Sequence, residues 1–261
     1  MKILYIGNDL VTKTKYNSSM NTLSELLNSI GFSLYRGSSK SNKVFRILDM
    51  LWMVYSFRNK VSFILIDTFS TSNFYYALLT SQLARVLKLK YIPILHGGNL
   101  PMRLANNKTI CNLIFNHSHV NVAPSNYLKT EFELYGYSTK FIPNILEIEK
   151  YKFKNRNSFQ PKLLWVRAFD KIYNPTLAIK ALKLLKQKYP DSLLIMVGPF
   201  KDDSIEEVTK LIDTLNLKDS VKITGVLKKE DWHKLSENSD IFINTTNIDN
   251  TPVSVMEAMA L

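Results

Sequence analysis

Residues 241–261 read IFINTTNIDNTPVSVMEAMAL. An apolar run ends at Asn244, a polar loop follows, and Thr251-Pro252 opens a helical pattern. Threonine is a favoured N-cap and proline a favoured first helical residue, so the pattern predicts a helix from Thr251 onward. A strand followed by a loop and a helix N-terminus is half of a βαβ unit. In parallel α/β sheets that turn faces the ligand crevice and offers free N–H groups to an anion. Val253, Val255, Met256, Ala258, Met259, Ala260 and Leu261 make this helix apolar nearly all round, which predicts burial. Glu257 stands among them, and a buried carboxylate is costly unless it is paired or hydrogen-bonded. Two readings follow. Its side chain leans toward the helix N-terminus and meets a ligand hydroxyl, or it is a rim glutamate satisfied by a backbone donor.

The same alternation of short apolar runs and amphipathic segments extends back to the first residue. Strands are expected at Lys2–Ile6, Val61–Ile66 closed by Asp67, Tyr91–Leu95, His119–Ala123 and Phe141–Ile142. Helices are expected at Asn21–Ile30, Phe74–Leu87 and Asn126–Tyr135, the first and last ended by Gly31 and Gly136. The polar stretch 147–161 interrupts the pattern and reads as a linker. Beyond it come strands at Leu163–Val166, Leu193–Val197, Val221–Thr224 and Asp240–Asn244. Between them lie helices from Asn174 to Tyr189, Ser204 to Leu215 and Lys229 to Asn238. The expected fold class is α/β, with two parallel-sheet domains at 1–146 and 162–261.

Composition narrows the function. The chain has 261 residues, a net charge of +12 and one cysteine, Cys111. An intrachain disulfide framework is impossible and a cysteine-ligated zinc site is not expected. The N-terminal apolar run stops at Gly7-Asn8-Asp9, too short for a secretory signal, and Arg46 and Asp49 interrupt the longest apolar tract. The expected compartment is the cytoplasm. Residues 1–150 carry +9 of the charge and residues 151–261 carry +3. A basic first half suits an anionic partner or plain solubility.

With these residues in view, the sequence resembles the retaining, family-four-type glycosyltransferases of group 1, which have the GT-B fold of two Rossmann-like domains. Asp249, seven residues, Glu257 and then Ala258-Met259-Ala260 resemble that family's E-x7-E motif, with Asp249 in place of the first glutamate. The resemblance implies that Asp249 contacts the donor sugar and Glu257 the ribose diol. It implies that Asn250 and Thr251 line the sugar and diphosphate loop. Leu164-Trp165-Val166-Arg167 is similar to the strand that opens the second domain, and Arg167 with Lys171 matches the pair that clamps the diphosphate. Val166 stands where glycine is usual, and the Arg-to-Lys spacing is one shorter. Gly198 and Gly225 fall in loops near the donor base. Ile94-Leu95-His96-Gly97 looks like the strand ending in His-Gly, so His96 is implied to hydrogen-bond the transferred sugar. Gly97, Gly98, Asn99 and Arg103 follow on the acceptor side. The family's first Gly-Gly loop corresponds here to Tyr16-Asn17-Ser18-Ser19-Met20, which makes Asn17 and Ser18 acceptor-side candidates. By position the second domain looks incomplete, as if truncated at its C-terminus.

The implied activity is sugar transfer from a nucleotide-diphosphate sugar to a glycan or lipid-linked acceptor, in cell-surface polysaccharide synthesis. No cofactor or metal is implied. No Asp-x-Asp signature, Walker loop or G-x-G-x-x-G is present. The alternatives are a non-catalytic truncated fragment, a sugar-nucleotide epimerase of similar fold, and a basic nucleic-acid-binding protein. No nucleic-acid module is recognisable, so no nucleic-acid partner is expected. Val44–Lys60 is aromatic-rich and flanked by cations, with Lys13, Lys15, Arg36, Lys40 and Lys43 nearby in sequence. Residues 36–60 are therefore read as a peripheral contact with an anionic membrane on its inner face, or as a buried helix with solvated ends.

Overall fold

Runs of Ile, Leu, Val and Tyr with little polar interruption suit strands covered on both faces, and such strands form here as two wholly parallel sheets. The computed structural model describes residues 1–9, 19–158 and 160–261. Asn17, Ser18, Lys13 and Lys15 lie outside the described residues. Two compact units result. The first is Met1–Ile145 with Asp249–Thr251, and the second is Leu146–Ile248 with Pro252–Leu261.

The first unit runs β1 (Lys2–Ile6), α1 (Ser19–Ser29), β2 (Ser33–Gly37), α2 (Lys43–Phe57), β3 (Phe63–Thr68) and α3 (Phe74–Val86). It continues with β4 (Tyr91–Leu95), α4 (Leu100–Asn106), α5 (Lys108–Phe115), β5 (Asn121–Ala123), α6 (Asn126–Leu134) and β6 (Thr139–Phe141). The sheet order is β2-β1-β3-β4-β5-β6. Side chains alternate across it, as strand geometry requires. Leu4, Ile6, Ile64 and Ile66 pack under α2 and α3 with Met50, Val54, Tyr76 and Ala77. Ile3, Tyr5, Leu65 and Ile94 face the other way, onto Met20 of α1. Local chemistry sets the helix ends. The Asn42 side chain accepts from the N–H groups of Val44 and Phe45, and Ser125 caps α6 by accepting from Leu128 N at 3.1 Å. Gly31 and Gly136 stop their helices at φ 91° and 82°.

The second unit runs β7 (Lys162–Val166), α7 (Pro175–Lys188), β8 (Leu193–Val197), α8 (Ser204–Thr214), β9 (Val221–Gly225), α9 (Lys229–Ser236), β10 (Ile241–Phe242) and α10 (Val253–Met259). Its sheet order is β10-β7-β8-β9. Leu163 and Trp165 bury against α7 and α8, while Leu164 packs on the opposite face with Trp232 of α9 and Leu261. Trp165 Nε1 donates to Thr245 Oγ1 at 3.0 Å, so the largest buried side chain of this unit keeps its polar atom satisfied.

Several expectations need correction. The strand β2 and the helices α4 and α5 were not expected. Their short segments carry mixed polarity, and tertiary packing rather than local pattern makes them regular. The strand expected over Asp240–Asn244 pairs through only Ile241 and Phe242. The final helix begins at Val253 with Pro252 as its N-cap, because the Thr251 hydroxyl is engaged elsewhere, donating to the Pro124 carbonyl at 2.8 Å. That helix is also not uniformly buried. Met259 is 77% exposed, whereas Glu257 is 7% exposed. Among the described residues no helix is long and apolar enough to cross a membrane.

Gly198, at the end of β8, has φ 153°, and a Cβ there would overlap the carbonyl oxygen of Arg167. The obstacle is backbone, so it cannot move aside cheaply. Gly198→Ala is expected to destabilise the protein by about 2–4 kcal/mol. Urea unfolding followed by circular dichroism measures this, and a loss below about 0.5 kcal/mol would refute the packing argument.

Candidate functional site

Polar side chains collect where the parallel strands end. In the first unit the ends of β3 and β4 bring Asp67 and His96 together. His96 Nε2 lies 2.7 Å from Asp67 Oδ1, and the Tyr5 hydroxyl donates to the same oxygen at 2.8 Å. Where Nε2 donates to this carboxylate, Nδ1 becomes the acceptor of the ring. The His96 ring stacks on Phe69 with centroids 5.1 Å apart, which fixes its plane. Burial, and then the charge of Asp67, push the Tyr5 phenol far above the ordinary tyrosine value, so it remains a donor. Gly7 lies against Asp67, where a Cβ would overlap the carboxylate.

The predicted residues Gly97, Gly98, Asn99 and Arg103 follow His96. A Cβ on Gly97 would lie 2.6 Å from the Ser70 backbone nitrogen, and one on Gly98 2.7 Å from the Asp249 carbonyl carbon. Both positions therefore require glycine for close backbone approach. Asn250, beside Asp249, donates from Nδ2 to the Leu95 carbonyl at 3.2 Å and shares a hydrogen bond with Ser125. The Asp249 carboxylate accepts from Asn250 N at 2.8 Å. Asn144 Nδ2 donates to the Thr251 carbonyl at 3.3 Å. Asp249–Thr251 and His96–Gly98 are thus neighbours within the first unit. Asn99 precedes α4 without capping it. Arg103 is tied down structurally, with Nε donating to the Ser70 carbonyl at 2.5 Å and its guanidinium 4.7 Å from the Phe74 ring centre.

In the second unit Glu257 is the focus. Its Oε1 accepts from Lys229 Nζ at 2.6 Å and from the Tyr151 hydroxyl at 3.0 Å. Burial works against the Lys229 ammonium, but its hydrogen bonds to Glu257 and Tyr151 outweigh this and raise its pKa. His233, whose ring stands 5.1 Å from that of Tyr151, has a lowered pKa because burial disfavours its charged form. The carboxylate is therefore paired and oriented by its two neighbours.

Arg167, Gly198 and Gly225 occupy the adjacent ends of β7, β8 and β9. Arg167 N donates to the Val197 carbonyl at 3.0 Å, Gly198 N to the Gly225 carbonyl at 2.9 Å, and Gly225 has φ 69°. The Arg167 guanidinium lies 5.3 Å from the Tyr173 ring centre. Lys171 stands apart from them, exposed and bridged to Asp203 at 2.8 Å and Glu207 at 3.7 Å. Sequence reasoning missed Lys229, Tyr151, Asp67 and Tyr5. Lys229 opens a charged helix and Tyr151 sits in a polar linker, where charge and hydroxyl are ordinary. Only the placement of Asp67 at a strand end hinted at a role.

Residues 147–261 match the family Glycosyl transferases group 1. No curated protein matches the chain. Sucrose-phosphate synthase from Thermosynechococcus elongatus is structurally similar, with a TM-score of 0.77 and 13% identity over 99% of this chain and 78% of that one. The Anabaena HepE structure in complex with UDP and glucose has a TM-score of 0.73 and 18% identity over 100% of this chain and 78% of that one. The lipopolysaccharide outer core galactosyltransferase WaaB follows, with a TM-score of 0.64 and 12% identity over 100% and 78% of the two chains. At these identities the likeness establishes the fold, which is the α/β architecture of GT-B structures.

Breaking the Lys229–Glu257 pair leaves a mostly buried carboxylate short of its cation. Lys229 is 44% exposed, so water replaces part of the loss. Lys229→Met is expected to cost about 1–2 kcal/mol, with a coupling of about 1 kcal/mol to Glu257→Gln in a double-mutant cycle. Strictly additive losses in urea unfolding would refute the pairing. The raised folded-state pKa of Lys229 means that this contribution is complete below the unfolded lysine value. It fades as pH rises through the folded one, in the alkaline range.

Proposed function

We propose that this protein transfers a sugar from a nucleotide-diphosphate sugar to a hydroxyl of a glycan or lipid-linked glycan, with retention at the anomeric carbon. The observation that carries the reading is Glu257. It is a buried carboxylate inside the segment that matches Glycosyl transferases group 1, and it is braced on one oxygen by Lys229 and Tyr151. A carboxylate braced and oriented in this way suits a ribose hydroxyl donor. Similar folds have been crystallised with UDP, UDP and glucose, or UDP-glucose, which supports a nucleotide-sugar co-substrate. WaaB, a lipopolysaccharide galactosyltransferase by name, supports a role in polysaccharide assembly.

In this reading Arg167 faces the diphosphate, while Gly198 and Gly225 let backbone approach the nucleotide, and Lys171 joins Arg167 only by leaving its bridge to Asp203. His96, its ring set by Asp67 and Phe69, hydrogen-bonds the transferred sugar through Nδ1. Asp249, Asn250 and Thr251 form the sugar loop. The C1–O bond to the diphosphate breaks and a C1–O bond to the acceptor forms on the same face. The acceptor proton passes to the departing phosphate oxygen, and cationic side chains stabilise the charge that grows there.

A thermal-shift series with UDP-, GDP- and ADP-sugars tests the reading. A ligand at about a hundred times its Kd stabilises by about 2.7 kcal/mol, a Tm rise of roughly 5–10 °C for a chain of this size. Glu257→Ala should abolish the rise produced by the best donor. A wild-type protein that responds to no nucleotide sugar, or a variant that responds as the wild type does, would overturn the assignment.

A further inference from the structure

We infer that the outer face of α2 is a docking surface for an anionic lipid bilayer. This helix turns Met50 and Val54 into the core and leaves its other side bare. Phe45, Leu48, Trp52 and Tyr55 recur at intervals of three and four and form one stripe about 15 Å long. Phe45 is 65% and Trp52 63% exposed, and Val44 adds to the same end. Large apolar side chains scattered singly on a surface are ordinary, but a continuous stripe of them marks a face that something covers. Tyr75 and Leu79 on α3, which packs against α2, are exposed as well.

The charges beside the stripe say what covers it. Lys40 and Lys43 stand exposed at its N-terminal end, and Arg58 and Lys60 close its C-terminal end. The Arg58 guanidinium lies 4.1 Å from the Tyr55 ring centre, and Lys60 Nζ lies 5.6 Å from that of Phe57, so both cations border the aromatic band. The one acid of α2, Asp49, accepts a hydrogen bond from Ser38. An open groove of about 770 Å³ beside Phe45, Leu48 and Trp52 is lined by Lys40, Ser39, Ser41 and Asn42, donors that suit a phosphate headgroup, and by Asp49, whose carboxylate is engaged by Ser38. Tryptophan and tyrosine between an apolar stripe and flanking cations match the depth profile of a bilayer interface. A second copy of the chain is a poorer match, because a two-fold contact through α2 sets like charges against each other. The inference goes beyond sugar transfer, and it stands on this surface whether or not the donor reading holds.

The full chain is sedimented with vesicles of phosphatidylcholine alone and of equal parts phosphatidylcholine and phosphatidylglycerol. Binding is expected only to the anionic vesicles and should weaken steeply with added salt. The double variant Phe45→Ser, Trp52→Ser should bind at least tenfold more weakly, and Lys40→Gln, Lys43→Gln should lose most of the salt dependence. All four positions are exposed, so circular dichroism and Tm should match those of the wild type. Wild-type protein left in the supernatant, or aromatic variants that bind as it does, would overturn the inference. So would a concentration-dependent dimer that these substitutions dissociate, since it would assign the face to a second copy.

Discussion

Parallel strands covered on both faces leave one place for chemistry, the rim where they end. In each unit helices seal the two faces of the sheet, and buried apolar side chains occupy the alternating positions along every central strand. Polar groups on those faces would go unpaired. They therefore gather at the C-terminal ends of β3 and β4 and around the ends of β7, β8 and β9, where loops supply partners. His96 and Asp67 follow from this constraint, and so do Arg167, Gly198 and Gly225.

The two polar clusters solve the same electrostatic problem in different ways. Asp67 is 4% exposed and accepts from a tyrosine that burial keeps protonated, together with a histidine whose ring is stacked in place. Glu257 is nearly as buried and accepts from an ammonium and a phenol on one oxygen. Each carboxylate is thereby paired and oriented by its neighbours, and electrostatic stabilisation depends on such preorganisation. The glycines around them permit the close approach. At Gly97 and Gly98 the space for a side chain is taken by backbone.

Much of this was legible in the sequence. Local periodicity and turn residues located most strands and helices to within a few residues. The conflict between Glu257 and its apolar neighbours marked it as a residue that needs a partner. His96 before two glycines, and Arg167 at a strand end, could be singled out for the same kind of reason. Short elements such as β2, α4 and α5 were not legible, because their regularity comes from what they pack against.

Other features depend on distance in space alone. Nothing local links Tyr151 to Glu257, 106 residues apart, or Asp67 to Tyr5, 62 apart. Nothing local tells that Thr251 spends its hydroxyl on Pro124 instead of capping a helix. The aromatic residues of α2 read equally as core or as surface until the sheet takes Met50 and Val54 and leaves Trp52 outside. The sequence alone determined which residues are apolar, charged or turn-forming, and through them the α/β class. Only the tertiary structure decided which polar groups meet and which apolar face stays uncovered, since both depend on how segments distant in the chain pack together.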